Sequence, residues 1–132
     1  MNEINSESII CLNYFAVSAT GGLFGIRDLG VLNSSVKEVY QTFEGEELYP
    51  TIEEKSARTC YNLISSHPFV DGNKRTGLLT MLSLLLTNGI KVKCSDVELI
   101  KIGLSLAKGK MGYEDLLGWV NSNKEIIKTV EK

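Results

Sequence analysis

The chain is poor in the residues on which many kinds of protein are built. It has one histidine, one tryptophan, two prolines and three cysteines in 132 residues. The cysteines, Cys11, Cys60 and Cys94, are odd in number and far apart. They show no metal-ligand spacing, which speaks for free thiols in a reducing compartment rather than a disulfide framework. No segment reaches the roughly 20 consecutive apolar residues of a membrane-spanning helix. Met1-Asn2-Glu3 lacks the basic start and apolar run of a secretory leader, so the expectation is a cytoplasmic protein. Excess charge is missing as well: 14 basic against 16 acidic side chains leave a formal net charge of −2. That balance argues against a nucleic-acid binder, which needs a basic face. Repeats, low-complexity tracts and linkers are also absent. Residues 1–132 are therefore expected to form one domain with its own core.

What is present is concentrated in one stretch, His67-Pro68-Phe69-Val70-Asp71-Gly72-Asn73-Lys74-Arg75. It holds the only histidine, a carboxylate, a glycine turn, an amide and two cations. An apolar run follows, from Leu78 to Leu86, broken by Thr80 and Ser83 and closed by Asn88-Gly89, which predicts a buried helix. The polar residues then fall on the loop and first turn feeding that helix. Lys74 and Arg75 oppose the helix dipole there, but they suit a bound phosphate, which the unpaired amides of the first turn would also hold. Asp71 is a hard oxygen ligand suited to Mg²⁺ shared with phosphate oxygens. His67 is the natural general base for a hydroxyl attacking phosphorus. Singly, each group has an ordinary reading: a capping histidine, a solvated cation pair, an Asp-Gly turn. The stretch is not a Walker loop, which needs G-x-x-x-x-G-K-[ST]. Their joint occurrence at one helix start points to phosphoryl-transfer chemistry.

This stretch resembles the signature of the Fic/Doc superfamily, H-x-F-x-[DE]-[GA]-N-[GK]-R, and Lys74 resembles its Doc (death-on-curing) branch. Residues 21–28, the segment 44–51, Ala107-Lys108-Gly109-Lys110 and Leu116-Leu117-Gly118-Trp119 extend the likeness over about residues 20–120. The resemblance implies a nucleotide-dependent transferase with ATP as substrate and Mg²⁺ as cofactor. His67 would be the base, Asp71 the metal ligand, and Gly72, Asn73, Lys74 and Arg75 the phosphate site, with Phe69 as a structural anchor of the loop. Glu44, Gly45, Glu46, Glu47, Leu48 and Tyr49 would form a flap that docks the target. Adenylylating members read N-G-R-x-x-R; here Lys74 replaces the glycine and Leu78 stands at the second arginine. Both departures match Doc-type toxins, which phosphorylate a threonine of elongation factor Tu and are held by a Phd-like antitoxin that folds on binding. AMP transfer and a non-catalytic nucleotide-binding module are the alternatives. Self-inhibited members carry [ST]-x-x-x-E-[GN]. The spacings Ser34–Glu38 and Thr42–Glu46 are followed by Val39 and Glu47 instead, so no internal brake is expected.

The remaining pattern predicts an all-α fold of about six helices. A first helix over 6–19 presents Ile9, Ile10, Leu12, Phe15, Ala16 and Ala19, with no role given to Asn13. Residues 25–30 read as an irregular link, and Asn33 or Ser34 as the cap of a short helix through Tyr40. Residues 41–50 read as an exposed loop or small hairpin. The Thr51-x-x-Glu54 capping box starts a helix that Pro68 ends near Ser66. Residues 90–93 read as an extended link. Ser95-x-x-Glu98 reads as a second capping box, opening a helix to Gly109, and a last helix is expected from Gly112 to about Val130. Trp119 is assigned to its core side.

Overall fold

A computed structural model describes residues 1–127. Six helices carry the fold: α1 Ser6–Thr20, α2 Leu29–Lys37, α3 Ile52–Ser66, α4 Asn73–Thr87, α5 Asp96–Ala107 and α6 Tyr113–Asn123. Two minimal antiparallel pairs join them, β1 Thr42–Phe43 with β2 Glu46–Glu47, and β3 Ile90–Val92 with β4 Lys124–Ile126. No helix is long and apolar enough to cross a membrane among the described residues, and the three cysteines are free.

Helices α3 and α4 form the central pair, and the other elements pack around them. Gly77 permits their close approach, since a Cβ there would stand 2.9 Å from Ile64 Cγ1 and 3.2 Å from the Cys60 carbonyl oxygen. One face of the pair enters a core of Cys60, Ile64, Met81 and Leu85, closed by Ile90 of β3, Ile102 and Leu106 of α5, and Leu116 and Val120 of α6. On the other side, Leu63 joins Ile9 of α1 and Leu32 and Val36 of α2 around Phe69. Burial of Phe69, which is 1% exposed, contributes about 1.5–3 kcal/mol.

Local signals placed the ends of α3 correctly. Thr51 accepts from the Glu54 N–H at 3.1 Å while the Glu54 carboxylate accepts from the Thr51 N–H at 3.2 Å, a complete capping box. Segment 41–50 is the small hairpin, and Glu44 and Gly45 both take positive φ (51° and 83°), as a two-residue turn between twisted strands requires.

Four expectations are corrected. The α1 face that turns inward is Ile9, Asn13, Ala16 and Val17, while Phe15 is 70% exposed. Apolar residues lie all around this helix, so their periodicity does not single out the buried side. Helix α2 begins at Leu29, capped by Asp28 through its contact to the Val31 N–H at 3.0 Å, and Asn33 and Ser34 lie inside it. Glu98 does not close a second capping box. Ser95 caps α5 alone, and the Glu98 carboxylate instead accepts from the Trp119 indole at 3.2 Å. Helix α6 stops at Asn123, and the chain turns to pair with β3, so residues 90–93 are half of a strand pair rather than a bare link. Unpaired backbone on β3 offers hydrogen bonds that a weak Asn-Ser-Asn helix end cannot match. Ile126 is exposed on that strand, and Val130 lies outside the described residues.

The hairpin is rooted on the start of α3 by two cations. Lys55, only 1% exposed, donates from Nζ to Glu47 at 2.9 Å and to the Tyr49 carbonyl. Arg58 pairs with Glu38 at 2.7 Å, and its guanidinium lies 5.2–5.6 Å from the ring centres of Tyr49, Tyr61 and Tyr113. Burial, then the nearby Glu54, Tyr49 and Glu114, pushes the Tyr113 hydroxyl up to about 12, against an opposing pull from Arg58. The folded value lies above the unfolded one of about 10. This group's contribution to stability is therefore complete below about pH 10 and is lost as pH rises toward 12. Tyr113→Phe is expected to flatten part of the alkaline fall in melting temperature over that range. A fall as steep as that of the wild type, followed by thermal denaturation, would assign it to other groups.

Candidate functional site

Residues 67–72 take the chain from the end of α3 to the start of α4, and most backbone carbonyls in that reversal are held from outside it. His67 is the C-cap of α3 in the left-handed region, φ 51° and ψ 60°. A side chain other than glycine is held there against a cost of about 1–2 kcal/mol. Arg27, from the link after α1, offsets it. Its guanidinium donates to the Ser66 carbonyl at 2.7 Å and to the His67 carbonyl, placing a cation on the negative end of α3. The Arg27 and Asp28 N–H groups both donate to the Pro68 carbonyl, at 2.7 and 3.1 Å. Val70 N–H donates to the Gly25 carbonyl at 2.9 Å, and Ile26 bridges to Phe69.

Asn73 fastens the loop from its other end. Its side-chain oxygen accepts from the Phe69 N–H at 3.0 Å, and its amide nitrogen donates to the Phe69 carbonyl at 2.9 Å. This reciprocal pair turns the Asn73 side chain inward, leaving one amide hydrogen for anything else. Gly72 begins α4 with φ 77°, and a Cβ there would stand 2.9 Å from Val17 and 3.3 Å from the Asn13 amide nitrogen. No side chain caps α4. The N–H groups of Gly72, Asn73, Lys74 and Arg75 have no hydrogen-bond partner among the described residues. Such an αL–αR sequence followed by an uncapped first turn is an anion-binding concavity.

His67, Asp71, Gly72, Asn73, Lys74 and Arg75 line one cleft of ≈ 890 Å³ together with Thr20 of α1 and Leu82, Leu99 and Gly103 of the apolar far wall. His67, Lys74 and Arg75 are exposed in it, and neither cation is ion-paired among the described residues. The His67 Nδ1 lies 3.3 Å from the Ser65 carbonyl oxygen, which can only accept. That contact favours the Nδ1–H tautomer and leaves Nε2 as the lone-pair nitrogen. One Asp71 carboxylate oxygen accepts from the Leu23 N–H at 2.9 Å; the other is unpartnered among the described residues. Among those residues no group of three or more His, Cys, Asp or Glu could hold a metal unaided. A single exposed carboxylate beside an anion site fits Mg²⁺ only where phosphate oxygens and water complete the octahedron. Glu44 to Tyr49, expected as a flap, do not line this cleft, and neither does Phe69, which lies in the second core.

Two residues of this arrangement went unread in the sequence. Arg27 acts across 39 and 40 residues, and nothing local marks it. Asn13 donates to the Asp71 carbonyl at 2.8 Å and to the Thr76 hydroxyl at 3.0 Å. The stripe it shares with Ile9, Ala16 and Val17 turns inward, but apolar residues on every side of α1 hide that stripe in the sequence.

The model of the Fic/DOC family matches residues 3–85. A protein named Toxin Doc, from Mycolicibacterium smegmatis, is 35% identical over 74 residues, which are 56% of this chain and 57% of that protein. The similarity thus spans little more than half of that relative's length. Protein kinase doc of Escherichia phage P1 is 32% identical over 116 residues, 88% of this chain and 90% of that one.

Gly72→Ala combines positive φ with a Cβ against Val17. It is expected to cost about 1–3 kcal/mol of stability and to weaken binding of inorganic tripolyphosphate at least tenfold. Calorimetry on the folded variant checks the second effect, and unchanged affinity would remove the loop amides from anion binding.

Proposed function

The chain belongs to the Doc branch of the Fic/DOC family, and on that premise we propose that it is the toxin of a toxin–antitoxin pair, a transferase that moves the γ-phosphoryl group of ATP to a hydroxyl of a protein target. The observation that carries this reading is the sharing of one cleft by an exposed histidine, an exposed carboxylate and a helix start that bears two cations and has neither a capping side chain nor an ion pair among the described residues. The name of the phage relative points the same way.

The chemistry divides among the residues as follows. The target hydroxyl gives its proton to Nε2 of His67 as its oxygen bonds to the γ-phosphorus, and the bond from that phosphorus to the bridging oxygen breaks to release ADP. The N–H groups of Gly72 to Arg75, with the Lys74 and Arg75 side chains, hold the phosphate oxygens and meet the charge that develops on them. Asn73 keeps Phe69, and through it the His67 end of the loop, at a fixed distance from those amides. Mg²⁺, where bound, would be held by Asp71 and would supply positive charge against that of the phosphate. The partners that fit are a translation factor such as elongation factor Tu as target, and an antitoxin segment that folds on binding.

AMP transfer is the competing chemistry. Against it stand Lys74 within the anion loop and Leu78, which lines the cleft wall where adenylylating relatives carry a second arginine. Intact-mass analysis of candidate targets after incubation with ATP separates the two, since an adenylate adds several times the mass of a phosphate. His67→Ala is expected to slow transfer by about 10²–10⁴-fold with ATP affinity held within a few-fold, because a general base acts in the transition state. Undiminished transfer would remove His67 from the mechanism. Lys74→Gly is expected to weaken phosphoryl transfer and to let AMP transfer appear in the same mass assay. Identical products from wild type and variant would show that position 74 does not select the group transferred.

A further inference from the structure

We infer that Asn13, buried in α1 and 58 residues from the loop in sequence, is a positioning residue that aims the Gly72 N–H at the phosphate. The inference rests on the proposed anion-binding role of the cleft and adds to it the device that orients its first donor.

Asn13 is fully buried. Both of its donor hydrogens are used, one on the Asp71 carbonyl at 2.8 Å and one on the Thr76 hydroxyl at 3.0 Å. The Asp71 carbonyl oxygen can only accept, so the amide must present nitrogen to it, and this fixes which way the side chain is turned. Its own Oδ1 is left buried with no partner among the described residues. An orphaned acceptor is unfavourable in a protein interior, although an apolar side chain of the same volume would in turn strand the Asp71 carbonyl and the Thr76 hydroxyl. What Asn13 supplies is a pair of donors aimed at two points flanking the first turn of α4.

The consequence follows from peptide geometry. In a trans peptide the C=O and N–H of one unit point in opposite directions. Asn13 draws the Asp71 C=O toward α1, so the N–H of the same unit, that of Gly72, faces away from Asn13. It has no partner among the described residues. The Thr76 contact fixes the other side of the turn, where the Thr76 N–H already closes on the Gly72 carbonyl at 2.8 Å. A Cβ at position 72 would meet Val17 and Asn13, so the position is held by a glycine, whose φ no side chain restrains. Without the Asn13 donors, the peptide linking Asp71 and Gly72 is free to turn over, since glycine tolerates both hands of φ. A flipped unit would present a carbonyl oxygen where the phosphate needs a donor.

The test uses the full chain and two probes, ATP and adenosine, titrated by NMR in the presence of Mg²⁺. Asn13→Leu keeps the volume and removes both donors. It is expected to weaken ATP binding at least tenfold and adenosine binding less than twofold, because only ATP carries the phosphates. Equal loss of both ligands would mean a general collapse of the cleft and would overturn the inference. So would ATP affinity unchanged in a variant that melts as a folded protein. A second measurement needs no variant: in the wild type, the Gly72 amide is expected to be among the most strongly shifted resonances on addition of inorganic tripolyphosphate. A Gly72 amide that does not respond while those of Lys74 and Arg75 do would overturn the role of Asn13 and leave the anion site standing. Wild-type protein that binds neither ATP nor tripolyphosphate would overturn the proposed function itself.

Discussion

The reciprocal hydrogen bonds between the Asn73 side chain and the Phe69 backbone are the contact on which the site geometry depends. Only residues 67–72 separate α3 from α4. In that span the chain must leave one helix at His67 and enter the next at Gly72, both in left-handed conformations. Such a reversal does not hold itself. Asn73 ties its middle to its end, the Phe69 ring is sunk among Ile9, Leu32, Val36 and Leu63, and Arg27 clasps its beginning. Because the second core is built around Phe69, packing energy from three helices is brought to bear on a loop whose outer face is left for chemistry.

The electrostatics of the two helix ends are arranged in opposite senses. At the end of α3 the structure does what stability asks, setting the Arg27 cation on the last carbonyls. At the start of α4 it does the reverse: two cations and, among the described residues, no capping side chain and four unpaired N–H groups. A serine or aspartate in place of Gly72 would ordinarily stabilise a helix start by about a few tenths of a kcal/mol. Neither suits the positive φ and the close approach to Val17 and Asn13. The local cost at α4 is offset by its burial against α3, α1 and α5.

Helix α3 also works as a beam between two unlike ends. Lys55 and Arg58 near its start hold the hairpin, and His67 closes its end. The 12 residues from 55 to 67 correspond to about 18 Å along the axis. A hairpin rooted that far from the histidine does not line the cleft, but its root is rigid, since a buried lysine and a guanidinium among three tyrosines leave it little freedom. Phe43, beside the Glu44-Gly45 turn, is exposed.

The elements that were legible in the sequence are those whose cause is local. The Thr51–Glu54 box, the stop before Pro68, the Gly72 turn and the Asn88-Gly89 end each lie within a few residues of the structure they produce, and His67 and Asp71 to Arg75, neighbours in sequence, line one cleft. Tertiary structure alone decided the rest. Which face of α1 turns inward, whether Glu98 caps its own helix or receives Trp119, and whether residues 124–126 continue α6 or pair with β3 are choices between local options of nearly equal energy. Contacts 20 to 60 residues away settle them, as Asn13 shows most clearly. Nothing in α1 distinguishes that asparagine from a surface one until Asp71 and Thr76 are brought beside it, because a hydrogen bond has meaning only where both partners have arrived.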